Sequence, residues 1–157
     1  MVHFRIISIG KIKEAWIGSG LDHYKKLISK FASIEEIIIR GEKIIDESRK
    51  SAILEKEGRA IIAKLNPDNP LIVLDEHGEN ISSEKFSGLL EKYFKGGKNV
   101  VDFVIGSPLG LSDKVRAKAD MLLSLSKMTF PHELARLILA EQLYRAMSIL
   151  HGSRYHK

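Results

Sequence analysis

Short apolar runs and longer stretches with apolar residues three and four apart take turns along the whole chain. His3–Ile9, with Phe4, Ile6, Ile7 and Ile9, predicts a strand closed by Gly10. Residues 14–28 predict a helix on Leu21, Tyr24, Leu27 and Ile28, and Ile34–Ile39 predicts a second strand. A charged helix follows over about 46–65, with Ile53, Leu54, Ile61, Ile62 and Leu65 on one face and Asn66-Pro67 as its stop. Leu71–Leu74 is wholly apolar, the pattern of a strand covered on both faces, and Asp75–Asn80 reads as its exit loop. Ser82 or Ser83 caps a helix running to about Phe94, before Gly96-Gly97. Val100–Ile105 is another apolar strand, Ser112 caps a short helix to about Ala119, and Met121–Leu125 is the last strand. Pro131 fits the first turn of a long helix to about Leu150. This alternation predicts an α/β fold with a mainly parallel sheet flanked by helices. No composition break marks a linker, so residues 1–157 are expected to form one domain.

The last helix departs from ordinary amphipathicity. Leu134, Leu137, Ile138, Leu139, Leu143, Tyr144, Met147, Ile149 and Leu150 surround it, which demands burial on more than one side. A central helix of a monomer would satisfy this; so would a helix packed on the sheet and on a second subunit. The second reading, a homodimer, is the one expected here.

Composition narrows the chemistry. The chain has 157 residues, 44% apolar and 29% charged, with no Cys, so disulfides, thiolate metal sites and a cysteine nucleophile are excluded. No apolar run reaches the ~18 residues of a membrane span, and the N-terminus has no cleavable leader pattern, so a cytoplasmic location without membrane attachment is expected. The net charge of +5 is uneven. Residues 1–30 carry six cations against two acids, residues 31–75 seven against nine, and residues 124–157 five against two. If the two ends met, they would make a basic patch of the kind that meets a polyanion; at +5 alone a merely solvated face is the better explanation.

Several familiar sites are missing: no P-loop, no G-x-G-x-x-G after the first strand, no nucleophile elbow and no H-E-x-x-H, and no metal is expected. In open α/β sheets ligands bind beyond the carboxyl ends of strands. Three exits are informative here: Leu74-Asp75, Ile105–Gly110 and Leu125–Phe130. Near the C-terminus, Glu141 and Arg145 stand four apart on an otherwise apolar helix, and Arg154, Tyr155, His156 and Lys157 follow in one short tail. Cations beside an aromatic ring suit phosphates and an unstacked base; an ordinary helix ion pair and a frayed terminus are the plain alternatives.

Read together, Leu123-Ser124-Leu125-Ser126-Lys127-Met128-Thr129-Phe130-Pro131-His132, Arg136, Glu141-Gln142-Leu143-Tyr144-Arg145-Ala146 and Tyr155-His156-Lys157 closely resemble the bacterial ribosomal RNA large-subunit methyltransferase H family, of the SPOUT class. Ile7–Lys11, Glu55–Gly58, Leu74 and Ile105-Gly106 fall in the order that family shows, so the resemblance spans the chain. It implies a SPOUT fold with a C-terminal trefoil knot, which periodicity alone would never yield because knots are so rare. It further implies a homodimeric enzyme that methylates N3 of a pseudouridine in 23S rRNA of the large subunit or the assembled ribosome, with S-adenosylmethionine as donor. Carried over by motif, the cofactor contacts fall at Leu74, Gly106, Leu125, Ser126, Lys127, Met128, Thr129 and Phe130. Proton removal from N3 calls for a base or an anion stabiliser. His156, Tyr155 and Arg145, with Glu141 orienting the arginine, are the catalytic candidates, and Arg154 and Lys157 the RNA-binding ones. Ser107 stands where the family has a second glycine, which leaves the geometry of that loop open. A non-catalytic RNA-binding module, a nicotinamide-dependent reductase and a SPOUT enzyme with another RNA target are the rival readings.

Overall fold

The computed structural model describes residues 1–43 and 46–156. Five strands, β1 (Val2–Ile9), β2 (Ala32–Ile39), β3 (Leu71–Asn80), β4 (Val100–Ile105) and β5 (Met121–Ser124), form one sheet in the order β2-β1-β4-β3-β5. Every pairing in it is parallel. The connecting helices are α1 (Ala15–Ile28), α2 (Lys50–Ile62), α3 (Ser83–Lys95), α4 (Asp113–Ala117) and α5 (His132–Leu150).

Side-chain alternation along the strands sorts the helices into two layers. Phe4, Ile6, Ile72, Val101, Phe103, Ile105 and Leu123 face one side, against Ile28 of α1, Phe86 and Leu90 of α3, and Leu139, Leu143 and Met147 of α5. Ile7, Ile9, Ile39, Val73 and Val104 face the other, against Ile61 of α2, Leu111 of the β4 exit and Val115 of α4. Helices on both faces leave the central strands dry, which is why β4 is buried at five of its six positions.

The elements follow the predicted order, with differences at several of their edges. β3 does not stop at Leu74: it resumes pairing with β5 at Glu79↔Leu123 after a register shift. Gly78 permits this, because a Cβ there would lie 2.5 Å from the Leu122 carbonyl oxygen, and Asn80 Nδ2 donates to Ser124 O at 3.1 Å. The charged helix begins in a 3₁₀ turn at Glu47–Arg49 and ends at Ile62, where Lys64 and Leu65 revert to bonds reaching only three residues back. β5 ends at Ser124, and Pro131 is the N-cap of α5 and not its first residue.

Two buried charges tie the layers. Asp102, 1% exposed in mid-β4, takes both Arg5 Nη1 contacts at 2.8 Å, Asn69 Nδ2 at 2.9 Å and the Asn66 amide at 3.2 Å. Arg136, 1% exposed in α5, donates through Nη2 to Ile9 O at 2.6 Å and Gly10 O at 2.7 Å, pinning the first turns of α5 to the β1 exit. Glu133 completes this junction. Its Oε1 accepts from Lys13 and Glu14 amides at 2.6 and 3.2 Å and so caps α1, whose own N-cap side chain makes no cap bond.

Candidate functional site

The order β4-β3-β5 places the three exits side by side. Leu74 and Asp75 stand at the register shift in β3, Ile105–Leu111 leave β4, and residues 125–131 leave β5, and together they enclose a cavity of about 860 Å³. That is within the range of small-molecule sites, ~300–1,000 Å³. Of the eight residues assigned to the cofactor by motif, Leu74, Gly106, Leu125, Ser126, Met128, Thr129 and Phe130 line this cavity. Lys127 is exposed and is not among the lining residues.

Each loop is held by local bonds. Ser124 Oγ donates to Ser126 O at 2.8 Å, the Met128 amide donates to Ser126 Oγ at 3.0 Å, and Thr129 Oγ1 bonds Glu76 Oε2 at 3.2 Å. The β4 exit closes on itself: Gly110 N–H donates to Ser107 O at 2.8 Å, with Gly110 at φ +94°. Only glycine fits at 106, since a Cβ there would lie 2.5 Å from Gly110 O and 2.7 Å from Leu111 Cγ. Ser107 is not in the left-handed region, so the serine in the family's glycine position is accommodated without backbone strain.

Sequence reasoning missed the charged wall of this cavity. Arg116 Nε donates to Asp75 Oδ2 at 2.5 Å and its Nη1 to Leu111 O at 2.6 Å, and both Asp75 and Arg116 line the space. Burial pushes the Asp75 carboxyl up, but the bond from Arg116, the His77 amide and the guanidinium charge together hold it below its ordinary value. The pair is forty-one residues apart in sequence, so no spacing rule could have found it. His132 also lines the cavity; burial, with the charge of Arg136, lowers its pKa and favours the neutral ring. Behind the β4 exit lies Glu57 of α2, 5% exposed, whose Oε2 has no hydrogen-bond partner among the described residues. Burial raises its pKa, partly offset by the Ser107 hydroxyl, and Glu42 adds to the rise.

The catalytic candidates gather elsewhere. Arg145 Nε and Nη2 bond Glu141 Oε1 at 2.9 and 2.6 Å, and the Tyr155 hydroxyl donates to the same oxygen at 3.1 Å. The Tyr155 ring lies 4.5 Å from that of Tyr144, and the Arg145 guanidinium sits 4.8 Å from the Tyr155 centroid. Burial first, then bonding to Tyr24 and the Glu141 charge, raise the Tyr155 pKa, so it stays a phenol. His156 Nε2 is 2.7 Å from Glu84 Oε1. Because that carboxylate can only accept, Nε2 carries a proton in this contact, and Nδ1 is buried with no hydrogen-bond partner among the described residues. Arg154 is exposed, and Lys157 falls outside the described residues. None of Glu141, Arg145, Tyr155 or His156 lines the cavity. Arg145 is thirteen residues along α5 from His132 at the cavity, about 20 Å of helix.

A parallel sheet with loop-built walls around a cavity at its carboxyl edge is the arrangement of an α/β ligand-binding protein. The family described as "Predicted SPOUT methyltransferase" matches residues 2–156. The fold is shared with a probable methyltransferase from Bordetella pertussis Tohama I, at TM-score 0.59 and 13% identity over 93% of this chain and 95% of that one. It is shared also with a probable methylase family protein from Haemophilus influenzae Rd KW20, at TM-score 0.51 and 13% identity over 95% of this chain and 66% of that one. The ribosomal RNA large subunit methyltransferase H of Clostridium botulinum (strain Langeland / NCTC 10281 / Type F) is 43% identical over 159 residues, covering 99% of this chain and 100% of its own. That of Caldicellulosiruptor bescii (strain ATCC BAA-1888 / DSM 6725 / KCTC 15123 / Z-1320) is 44% identical over 156 residues, covering 98% of this chain and 99% of its own. The chain belongs to the ribosomal RNA large subunit methyltransferase H family of SPOUT methyltransferases. Among the described residues no helix is long and apolar enough to cross a membrane, and no group of His, Asp and Glu could hold a metal ion.

Proposed function

We propose that this protein is a single-domain, cytoplasmic enzyme that methylates N3 of a pseudouridine in 23S rRNA, with S-adenosylmethionine as donor. The observation that carries the reading is the cavity itself. Seven of the eight residues that the motif assigns to the donor line one space, in a chain 43% identical to a ribosomal RNA large subunit methyltransferase H. The cavity suits the donor chemically: Leu74, Ile105, Leu123 and Leu125 offer apolar surface to a purine, while bent loops present backbone N–H and C=O groups. Asp75 and Arg116 add one acceptor and one donor for hydroxyl, amino or carboxylate groups. The knot implied by the resemblance belongs to this proposal.

When bound, S-adenosylmethionine supplies an electrophilic methyl on a sulfonium; transfer forms one C–N bond at N3, breaks one S–C bond with the electron pair left on sulfur, and releases the N3 proton. The chain's tasks are to position the base, exclude water and favour the imide anion. Arg145, braced by Glu141, is suited to stabilise that anion, and Tyr155, kept protonated, acts as a donor. His156 is assigned to take the proton, itself or through a water; its Nε2 is bound to Glu84 and its Nδ1 is buried within the subunit, so the ring must turn to do so. Arg154 and Lys157 are assigned to phosphate.

These groups cannot reach the cavity of their own chain, so we infer a homodimer in which the tail of one subunit completes the cavity of its partner. Leu134, Leu137 and Ile138 of α5 remain half-buried, and Trp16 of α1 is 59% exposed, an apolar surface for a second copy. Nucleoside mass spectrometry of 23S rRNA from cells with and without the gene tests the activity: N3-methylpseudouridine is expected only with it. An unchanged signal refutes the reading. A mixed dimer of Gly106→Arg and Arg145→Ala subunits tests the arrangement. Each homodimer is expected to be inactive and the mixture to recover activity; no recovery refutes completion in trans. In single-turnover assays His156→Ala is expected to slow methylation, and an unchanged rate and RNA affinity remove its role.

A further inference from the structure

The carboxyl edge of the sheet carries cations that the site just described does not use. Lys11 follows Gly10 at the end of β1 and Arg40 follows Ile39 at the end of β2; these exits are neighbours, joined by Gly10 N–H to Ile39 O at 2.7 Å. Lys43, Arg49 and Lys50 continue from the β2 exit toward α2, and Lys50 reaches the cavity wall. All five are exposed, and none pairs with a described carboxylate.

Six acids of the same stretch are engaged elsewhere. Glu35 meets His3 and Arg5, Glu36 meets Lys25, Glu42 meets Lys56, and Glu55 meets Lys114 and Arg59. Asp46 is turned onto the Ser48 amide and hydroxyl, and Glu57 is buried. A segment whose residues 31–75 hold more acids than cations therefore shows a cationic face beside the cavity mouth. Of the nearby acids, Glu76 lines the cavity from β3 and bonds Thr129, and Asp113 of α4 meets Arg116.

We propose that Lys11, Arg40, Lys43, Arg49 and Lys50 form a phosphate-docking arc that leads the RNA substrate to the cavity mouth. The arc rests on the reading of this protein as an RNA methyltransferase and adds to it the surface that grips the chain. Lone lysines and arginines in a row along a loop track a phosphate backbone without reading bases. Each phosphate contact steepens the dependence of log K on log salt by about 0.9 for a duplex and about 0.7 for a single strand.

The test uses the full-length protein, a fluorescein-labelled RNA hairpin and large ribosomal subunits from cells lacking the gene. The edge variant Arg40→Gln/Lys43→Gln/Arg49→Gln is compared with Lys26→Gln/Lys30→Gln/Lys92→Gln, which removes three exposed cations from the opposite edge. The edge variant is expected to lower the salt slope by about two to three and to weaken hairpin binding on the order of tens of fold at 0.15 M salt. The control is expected to change the slope by less than one, and both are expected to bind S-adenosylmethionine as the wild type does by calorimetry. Equal losses in both variants, or an unchanged slope in the edge variant while the wild type binds and methylates the subunits, overturns the arc alone. A wild type that binds donor but neither hairpin nor subunits overturns the RNA reading as well. Capture of anionic vesicles as strongly as of RNA would assign the arc to a membrane surface and overturn it.

Discussion

Replacing Gly106 by alanine adds one methyl group at the tightest point of the cavity. That methyl would lie 2.5 Å from Gly110 O, 2.7 Å from Leu111 Cγ and 3.0 Å from Gly110 C. Ordinary carbon contacts sit at about 3.5–4.0 Å, so the β4 exit must open by roughly 1 Å. Two of these three atoms are backbone of Gly110, which is held by its bond to Ser107 O at 2.8 Å, and the third is the branch carbon of the buried Leu111, so no flexible side-chain tip can give way. Overpacking of this kind costs about 1–3 kcal/mol. For a chain of this size that lowers Tm by about 2–12 °C, at ~2–4 °C per kcal/mol. The strain is relieved by moving the loop that lines the cavity, so donor affinity is expected to fall at least about tenfold, the equivalent of ~1.4 kcal/mol. Differential scanning fluorimetry and titration calorimetry with S-adenosylmethionine read the two effects. Gly88→Ala is the control: its Cβ meets nothing within 4 Å in α3, and alanine there should raise stability by about 0.5–1 kcal/mol. If Gly106→Ala kept both its Tm and its donor affinity, the assignment of this loop to the cofactor and the steric argument behind it would both be wrong.

Arg5→Ala leaves Asp102 buried without its cation, which is expected to destabilise the protein by about 3–5 kcal/mol in denaturant titration; a loss under 1 kcal/mol would show that Asn66 and Asn69 suffice. Glu57 has a raised pKa, so its neutral form favours the fold: that contribution is complete below its ordinary value of 4.5 and is lost as pH rises through the folded value. Glu57→Gln is therefore expected to raise Tm at pH 8 and leave it nearly unchanged at pH 4, and the reverse pattern contradicts the burial argument. Asp75 is the opposite case, with stability present above its ordinary value of 3.8 and lost as pH falls through the lower folded one. Asp75→Asn should flatten the acid limb of the Tm–pH curve and weaken donor binding; an unchanged acid limb would show that Arg116 finds no net gain in the pair.

The element order was legible because hydrophobic period is a local property. Ser82 and Ser112 were readable as caps, and the structure has their hydroxyls accepting from Lys85 and Val115 amides. The second half of β3 was not legible: Asp75–Asn80 is polar and carries a glycine, which locally is a loop, and only the neighbouring backbone of β5 draws Glu79 and Asn80 into the sheet. Nor could Glu133 be recognised as the cap of α1, since the groups it serves are more than a hundred residues away. Seven of the eight motif-derived cofactor positions converge on one cavity because each sits at a strand end, and parallel strands bring their carboxyl ends to the same edge.

By itself the sequence determined the alternation of strands and helices, the buried character of the central strands, the three exits at which a ligand could sit and the family motifs. Which exits meet was decided only by the order β2-β1-β4-β3-β5, a consequence of how long crossovers pack helices on both faces. Tertiary structure likewise separated the Glu141–Arg145–Tyr155 cluster from the cavity by most of a helix length, and joined Asp75 to Arg116. It also turned a stretch with excess acid into a cationic edge by pairing or burying most of those acids. Charge and period are additive along a chain, whereas proximity is set by packing between residues far apart in it.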